Sequence, residues 1–363
     1  MWRQLTIAGL AIQALLLSSA AAAPQGSQRS DRLLHRLTGD NAFRIPVMSH
    51  RSGTSRASTM QARVRTLQKH MLQVPGKWLQ EVQSLPMFKL DLDTGSGDIW
   101  LAGQECRVCS RHKKFDPDRS STHRYEGRKW GISYGDGSFA AGTTIRDTVS
   151  IGKISVPNQV IGLATNESRA YQVDTVDGLL GLAHSGVAFI PGVTTFLDNM
   201  YENNILKDPI FSVYITEKDK DGFAGEYLFG SYDKSKFIGD LTWVPLYQPK
   251  FWQILVDGVS FNVQSLSSEK MDIKGPAILD TGTTLIVMND EQATRVVPGN
   301  LTFTIAGADL IREPVKGLDG WCFSAVTSGA SNFIILGDIF LRSNYVVFDR
   351  GQSRVGIAPS KHQ

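Results

Sequence analysis

The triplet Asp-Thr-Gly occurs twice in this 363-residue chain, in LDLDTGSGDIW (residues 90–100) and in AILDTGTTLIV (residues 277–287). Each copy closes an apolar run and is followed by a hydroxyl residue, Ser96 or Thr283. Before the first triplet, Phe88, Leu90 and Leu92 alternate with Lys89, Asp91 and Asp93, the period of a half-buried strand. A strand therefore delivers Asp93 into a Thr-Gly turn. The repeat continues downstream, because Leu179-Leu180-Gly181 follows the first triplet and Ile335-Leu336-Gly337 the second. A duplicated unit of this size implies two similar β lobes, each supplying one Asp.

The rest of the chain reads as all-β. Thr148–Ile151, Phe211–Ile215, Tyr227–Phe229, Phe333–Leu336 and Tyr345–Phe348 are short strand-like runs separated by Gly, Asp, Asn and Ser clusters. Helical signals are few. Thr194–Ile205 spaces Phe196 from Met200 and Leu197 from Tyr201 by one turn, and Asn289 with Gln292 suggests a short capped helix up to Val297.

Charge divides the chain unevenly. Residues 1–74 carry ten Lys and Arg against two Asp and Glu, whereas the remainder carries 28 against 33. Arg3, an apolar run from Leu5 to Leu17, and Ala20–Ala23 have the order of a secretory signal, with a cut expected near Ala22. The run is too short to span a bilayer, so no membrane anchor is expected. In a secreted chain, the basic stretch 23–74 is read as a pro-segment that neutralises an acidic body, not as a nucleic-acid arm. Acid weakens such a pairing as carboxylates protonate.

The three cysteines include a C-x-x-C pair, Cys106 and Cys109, read as a short disulfide; a zinc half-site would lack its second pair of ligands. Cys322 is left over. Asn166-Glu167-Ser168 and Asn300-Leu301-Thr302 are candidate glycosylation sites. The seven His show no metal-ligand spacing, and no cofactor or metal is expected.

Together, LDLDTGSGDIW, ISYGDGSFAAG, VDGLLGLA, AILDTGTT and IILGDIFLRSNYVVFD resemble the pepsin-like aspartic endopeptidases, particularly the secreted fungal type, over about residues 87–358. The resemblance implies a bilobal acid protease fold with Asp93 and Asp280 as the catalytic pair. Ser96 and Thr283 match the residues that hydrogen-bond the outer carboxylate oxygens, and Gly95 and Gly282 the glycines packed against the pair. Thr94 and Thr281 complete the two triplets. ISYGDGSFAAG looks like the flap that closes over peptide, with Tyr134 as its tyrosine and Gly135, Asp136 and Gly137 at its tip, and Trp100 matches the tryptophan that supports it. Asp136 also matches a flap aspartate that helps accept a basic side chain before the cleaved bond. Two carboxylates so close cannot both ionise cheaply and hold one proton between them, which is the general behaviour of such pairs in acid proteases.

The implied protein is a secreted acid endopeptidase made as a zymogen, a monomer acting on polypeptides, inhibited by its own pro-segment. A lytic vacuole is the alternative destination. The expected organisation is a signal at 1–22, a pro-segment at 23–74, a first lobe at 75–245 and a second at 246–363. The copies differ in length, however: Asp93 to Gly181 spans 88 residues, and Asp280 to Gly337 only 57. The shortfall falls near Pro298-Gly299-Asn300, in an interval where the family normally holds a partner for the cysteine matching Cys322. VPGKWLQEVQSLPMF also lacks the family's usual turn ahead of Asp93. A catalytically impaired peptide-binding protein, or a misfolded product of a truncated gene, is the competing expectation.

Overall fold

The computed structural model describes residues 10–16, 43–48 and 87–362, apart from 153, 218–222, 264–268, 272–273, 290–301, 306–310, 315–321 and 330–332. The fold is mostly β. In the first half, six strands run in the order Leu90–Asp93, Gly178–Gly181, Ile99–Ala102, Ile154–Glu167, Phe139–Ile151 and Arg124–Ser133. Leu90–Asp93 pairs parallel with Gly178–Gly181, which pairs antiparallel with Ile99–Ala102. The second half repeats this: Gly275–Leu279 lies parallel to Ile334–Leu336, which lies antiparallel to Ile286–Met288. The downstream Leu-Leu-Gly and Ile-Leu-Gly elements are therefore the strands that hold each Asp-bearing strand in place.

The apolar run Leu10–Leu16 pairs antiparallel with Gln253–Val263 and with Thr302–Ile305. The sequence reads it as the middle of a leader. The second half is the shortened one, and its long strand Gln253–Val263 offers backbone donors and acceptors that an extended apolar segment can satisfy.

A third sheet takes strands from both halves, in the order Thr242–Pro245, Arg354–Pro359, Asn344–Asp349, Ile210–Ile215, Phe223–Phe229 and Phe43–Met48. Strands upstream of residue 245 thus pair with strands from the chain's end. Its inner face carries a buried aromatic stack: Phe211 and Phe348 lie 4.6 Å apart and nearly parallel, and Trp252 meets Phe348 edge-on at 5.1 Å. Such rings contribute large apolar burial together with about 0.5–1.5 kcal/mol per pair from their geometry. Trp252 also donates from Nε1 to the Leu182 carbonyl at 2.8 Å, tying the second half to the strand that braces Asp93.

Helices are short. Thr195 caps Phe196–Glu202 by accepting from the Asp198 amide, as the Thr194–Ile205 spacing suggests. Asp338–Ser343 follows Gly337 and buries Ile339, Phe340 and Leu341. The helix expected up to Val297, Asn300, the join near Pro298, and all of the expected pro-segment 23–74 except Phe43–Met48 lie outside the described residues. Cys106 and Cys109 are joined in a disulfide.

Candidate active site

Both Asp-Thr-Gly turns meet at the junction of the halves, and the structure brings Asp93 and Asp280 into hydrogen-bonding contact. Both are buried, at 4% and 7% exposure, so protein groups must orient them. Around each carboxyl the same two donors recur. Asp93 accepts from the Gly95 amide at 2.7 Å and the Ser96 hydroxyl at 2.6 Å. Asp280 accepts from the Gly282 amide at 2.9 Å and the Thr283 hydroxyl at 2.6 Å.

The glycines are required by the opposite half. A β-carbon on Gly95 would stand 2.6 Å from Asp280 Oδ1, and one on Gly282 would collide with Asp93 Oδ1. Only residues without side chains allow each turn to touch the other turn's carboxyl.

Beneath the carboxyls, the threonines interlock. The Thr94 amide donates to Thr281 Oγ1 and the Thr281 amide to Thr94 Oγ1. Each hydroxyl then donates onward, Thr94 to the Leu279 carbonyl and Thr281 to the Leu92 carbonyl. Tyr227 Oη also donates to the Leu92 carbonyl, from the third sheet.

Burial pushes the Asp280 carboxyl well above the ordinary carboxylate range, and the charge of Asp93 pushes it further; Thr283 and the Gly282 amide oppose the rise. The pair therefore holds a proton at pH values where an isolated carboxyl would lose it, and it titrates as a unit.

The flap expected at ISYGDGSFAAG is an antiparallel hairpin of Arg124–Ser133 and Phe139–Ile151. Its tip closes with the Tyr134 amide donating to the Ser138 carbonyl and the Gly137 amide to the Tyr134 carbonyl. Gly137 has φ of +79°, a left-handed conformation that favours glycine, while Gly135 has open space around its Cα. Asp136 is not held loose at the tip: its Oδ1 accepts from the Ser138 amide and hydroxyl. Trp100 Nε1 donates to the Tyr134 hydroxyl at 2.8 Å, joining the strand after the first triplet to the flap.

The contacts of Asp98 and Tyr171 follow from no motif in the sequence. Asp98 is 1% exposed and accepts from the Phe189 and Ile190 amides, fixing that turn to the Asp93 loop. Tyr171 packs edge-on against both Trp100 and Tyr134. Asn166 is exposed on the strand beside the flap, opposite Ala141.

Comparison with known proteins agrees with this arrangement. Residues 84–298 and 295–360 match the family described as eukaryotic aspartyl protease. Rhizopuspepsin-4 of Rhizopus niveus is 38% identical over 298 residues, covering 75% of this chain and 73% of the relative. Rhizopuspepsin of Rhizopus chinensis is 38% identical over 299 residues, 75% of each chain. Pepsin-2B of Gadus morhua is 34% identical over 305 residues, 75% of this chain and 92% of the relative.

Proposed function

The chain belongs to the eukaryotic aspartyl protease family, and from that premise we propose that it is a secreted acid endopeptidase, made as a zymogen, in which Asp93 and Asp280 activate a water between them. The observation that carries this reading is the mutual contact of two buried carboxyls, each oriented by one amide and one hydroxyl. The protonated carboxyl of the pair donates to the peptide carbonyl, and the ionised one takes a proton from the water, which attacks the carbonyl carbon without a covalent enzyme intermediate. The tetrahedral species then collapses as the proton taken from the water passes to the leaving nitrogen, the C–N bond breaks and the carbonyl returns its proton to the pair.

Extended peptide fits the cleft between the halves, its main chain hydrogen-bonded and the flap closed over it. Tyr134, with Gly135, Asp136 and Gly137, forms the cover, and Trp100 holds the tyrosine. Asp136, oriented by Ser138, is the group suited to a basic side chain before the cleaved bond.

The zymogen reading is supported by Phe43–Met48, which adds an edge strand to the third sheet against Phe223–Phe229. Phe43 stacks on Phe229 at 5.0 Å, and Arg44 bridges Glu226 and Asp233. Secretion follows from the leader-like residues 1–22. Its removal would take Leu10–Leu16 from the second-half sheet and open the edges of Gln253–Val263 and Thr302–Ile305 to solvent. Among the described residues no helix is long and apolar enough to cross a membrane.

The test is hydrolysis of an acid-denatured protein at about pH 3–4, where one proton remains on such a pair. Asp93→Asn and Asp280→Asn should each abolish it. Cleavage that persists in either variant defeats the mechanism. A wild-type chain that binds peptide without cutting it would instead favour the impaired peptide-binding alternative. N-terminal sequencing of the secreted product tests the leader and pro-segment, since a product retaining residue 10 excludes the proposed processing.

A further inference from the structure

His112 and Glu167 form an ion pair 3.1 Å apart, with side chains only 2% and 0% exposed. His112 follows the Cys106–Cys109 disulfide, its amide donating to the Cys109 carbonyl. Its Nε2 also lies 3.0 Å from the Tyr171 carbonyl, so this nitrogen carries the hydrogen and aligns it on that oxygen. The approach to Glu167 is then an ion contact beside a directed hydrogen bond. His112 Nδ1 and Glu167 Oε2 have no hydrogen-bond partner of their own. A sealed, sparsely bonded ion pair is costly to keep, and an apolar pair would fill the same space with less penalty.

Glu167 adjoins the flap. Glu167 stands opposite Ala140 of the flap strand, and the next residue, Ser168, donates its amide to the Phe139 carbonyl. The helix Arg169–Gln172 follows at once, carrying Tyr171. The Tyr171 ring meets Trp100 edge-on at 4.9 Å and Tyr134 edge-on at 5.8 Å, the two residues already joined by the indole-to-phenol hydrogen bond. We propose that the His112–Glu167 pair is a positioning device for the flap tyrosine, acting through Tyr171, and that it sets substrate capture in the protease reading on which it rests.

The groups facing His112 are Glu167, Asp177 and the Tyr171 carbonyl. Asp177 is itself fixed by the Lys89 and Lys113 amides. Burial opposes a charge on the imidazole, but these neighbours outweigh it and hold His112 protonated above its ordinary range. The imidazolium is thus retained in acid and is lost, with its share of the pair, as pH rises through the raised His112 pKa.

The experiment uses the acid-activated product of the full chain and measures kcat and KM on a peptide. It also measures Kd for a non-cleavable peptide bearing a hydroxyethylene group at the scissile position. Glu167→Gln should raise KM and Kd about tenfold, the scale of one lost charge-assisted contact, and change kcat by less than about twofold. Tyr171→Leu should produce the same rise, and combining it with Glu167→Gln should add little, because both act along one path. Should Glu167→Gln fail to fold, His112→Gln replaces it. Its amide can still donate to the Tyr171 carbonyl, so only the charge is lost, and the same rise in KM is expected. A lower melting temperature with unchanged KM and Kd, or independent effects of Glu167→Gln and Tyr171→Leu, overturns the proposal. Absence of wild-type hydrolysis counts against the protease reading alone, since the Kd measurements still test the positioning role.

Discussion

Thr94 and Thr281 exchange one hydrogen bond in each direction, amide to hydroxyl, at 3.0 Å both ways. Both are buried, at 1% and 3% exposure. Each hydroxyl accepts across the junction and donates to a carbonyl of the opposite Asp-bearing strand. Thr94→Val removes an acceptor and a donor together, leaving the Thr281 amide and the Leu279 carbonyl unpaired. The expected loss is about 2–6 kcal/mol of unfolding free energy, since each stranded buried group costs about 1–3 kcal/mol. Thr94→Ser should retain most of it. Urea unfolding checks this, and a valine variant as stable as the serine one would show that the interlock contributes nothing.

Thr283 tests the proton on the pair. Its hydroxyl favours the ionised form of Asp280, opposing burial and the charge of Asp93, which raise that pKa. Thr283→Val should therefore raise the Asp280 pKa further. The upper limb of the pH–rate profile, where the pair loses its proton, should move to higher pH by about one unit, the scale of one hydrogen bond to a carboxylate. A shift to lower pH would contradict the role given to the Thr283 hydroxyl.

If residues 23–74 are the proposed pro-segment, Arg44 is the handle of its strand Phe43–Met48, with Nη1 2.5 Å from Glu226 and Nη2 2.8 Å from Asp233. Burial leads a net upward shift at Glu226, which therefore neutralises early as pH falls. At Asp233 burial acts upward too, but Ser235 and Arg44 outweigh it and depress the pKa. The Asp233 contribution is present above the ordinary carboxylate range and is lost as pH falls through the depressed value. Release of the strand accordingly requires stronger acid than Glu226 alone would demand. Arg44→Gln should process itself at a higher pH than wild type. Electrophoresis across a pH series measures the midpoint, and an unchanged midpoint would remove Arg44 from the release step.

His184 works against stability in acid. It is 3% exposed, lies 4.5 Å from the Trp252 ring, and its Nε2 has no hydrogen-bond partner. Burial, then the charge of Arg350, lowers its pKa to about 4, with Asp198 opposing. The unfolded chain, with an ordinary His, binds this proton first. Stability is therefore full above about pH 6.5 and falls as pH drops through about 4, by something of order 3 kcal/mol for that displacement. His184→Phe should unfold at a higher temperature than wild type at about pH 4 and show a smaller difference near neutrality. Equal gains at both pH values would mean that packing, not titration, is responsible.

Much of the site was legible because its chemistry is local. A carboxylate, a turn glycine and a hydroxyl lie within four consecutive residues, Asp93 to Ser96 and Asp280 to Thr283, and the structure uses them together. The hairpin with Tyr134 at its turn was legible for the same reason: turn and tyrosine are neighbours in sequence. Tyr171, Asp98 and the His112–Glu167 pair were not. Each acts across dozens of residues, through a carbonyl, an amide or a ring edge, and no spacing rule marks such contacts. The third sheet was similarly hidden, since Phe43–Met48, Ile210–Ile215 and Asn344–Asp349 share neither motif nor periodicity that would assign them to one layer. Leu10–Leu16 reads the other way: apolar enough for a leader, it is also apolar enough to join a sheet.

The reciprocal placement of Gly95 and Gly282 has a consequence for how this molecule can be altered. Each half presents a surface on which only the other half's carboxyl can rest. Neither lobe, produced alone, would contain half an active site, because its own Asp would lack its neighbour's glycine as a wall. Lobes exchanged with a relative will work together only where this clasp registers to within a fraction of an ångström. The two copies are free to drift apart in length and loop structure, but at these two positions they remain a single unit of inheritance.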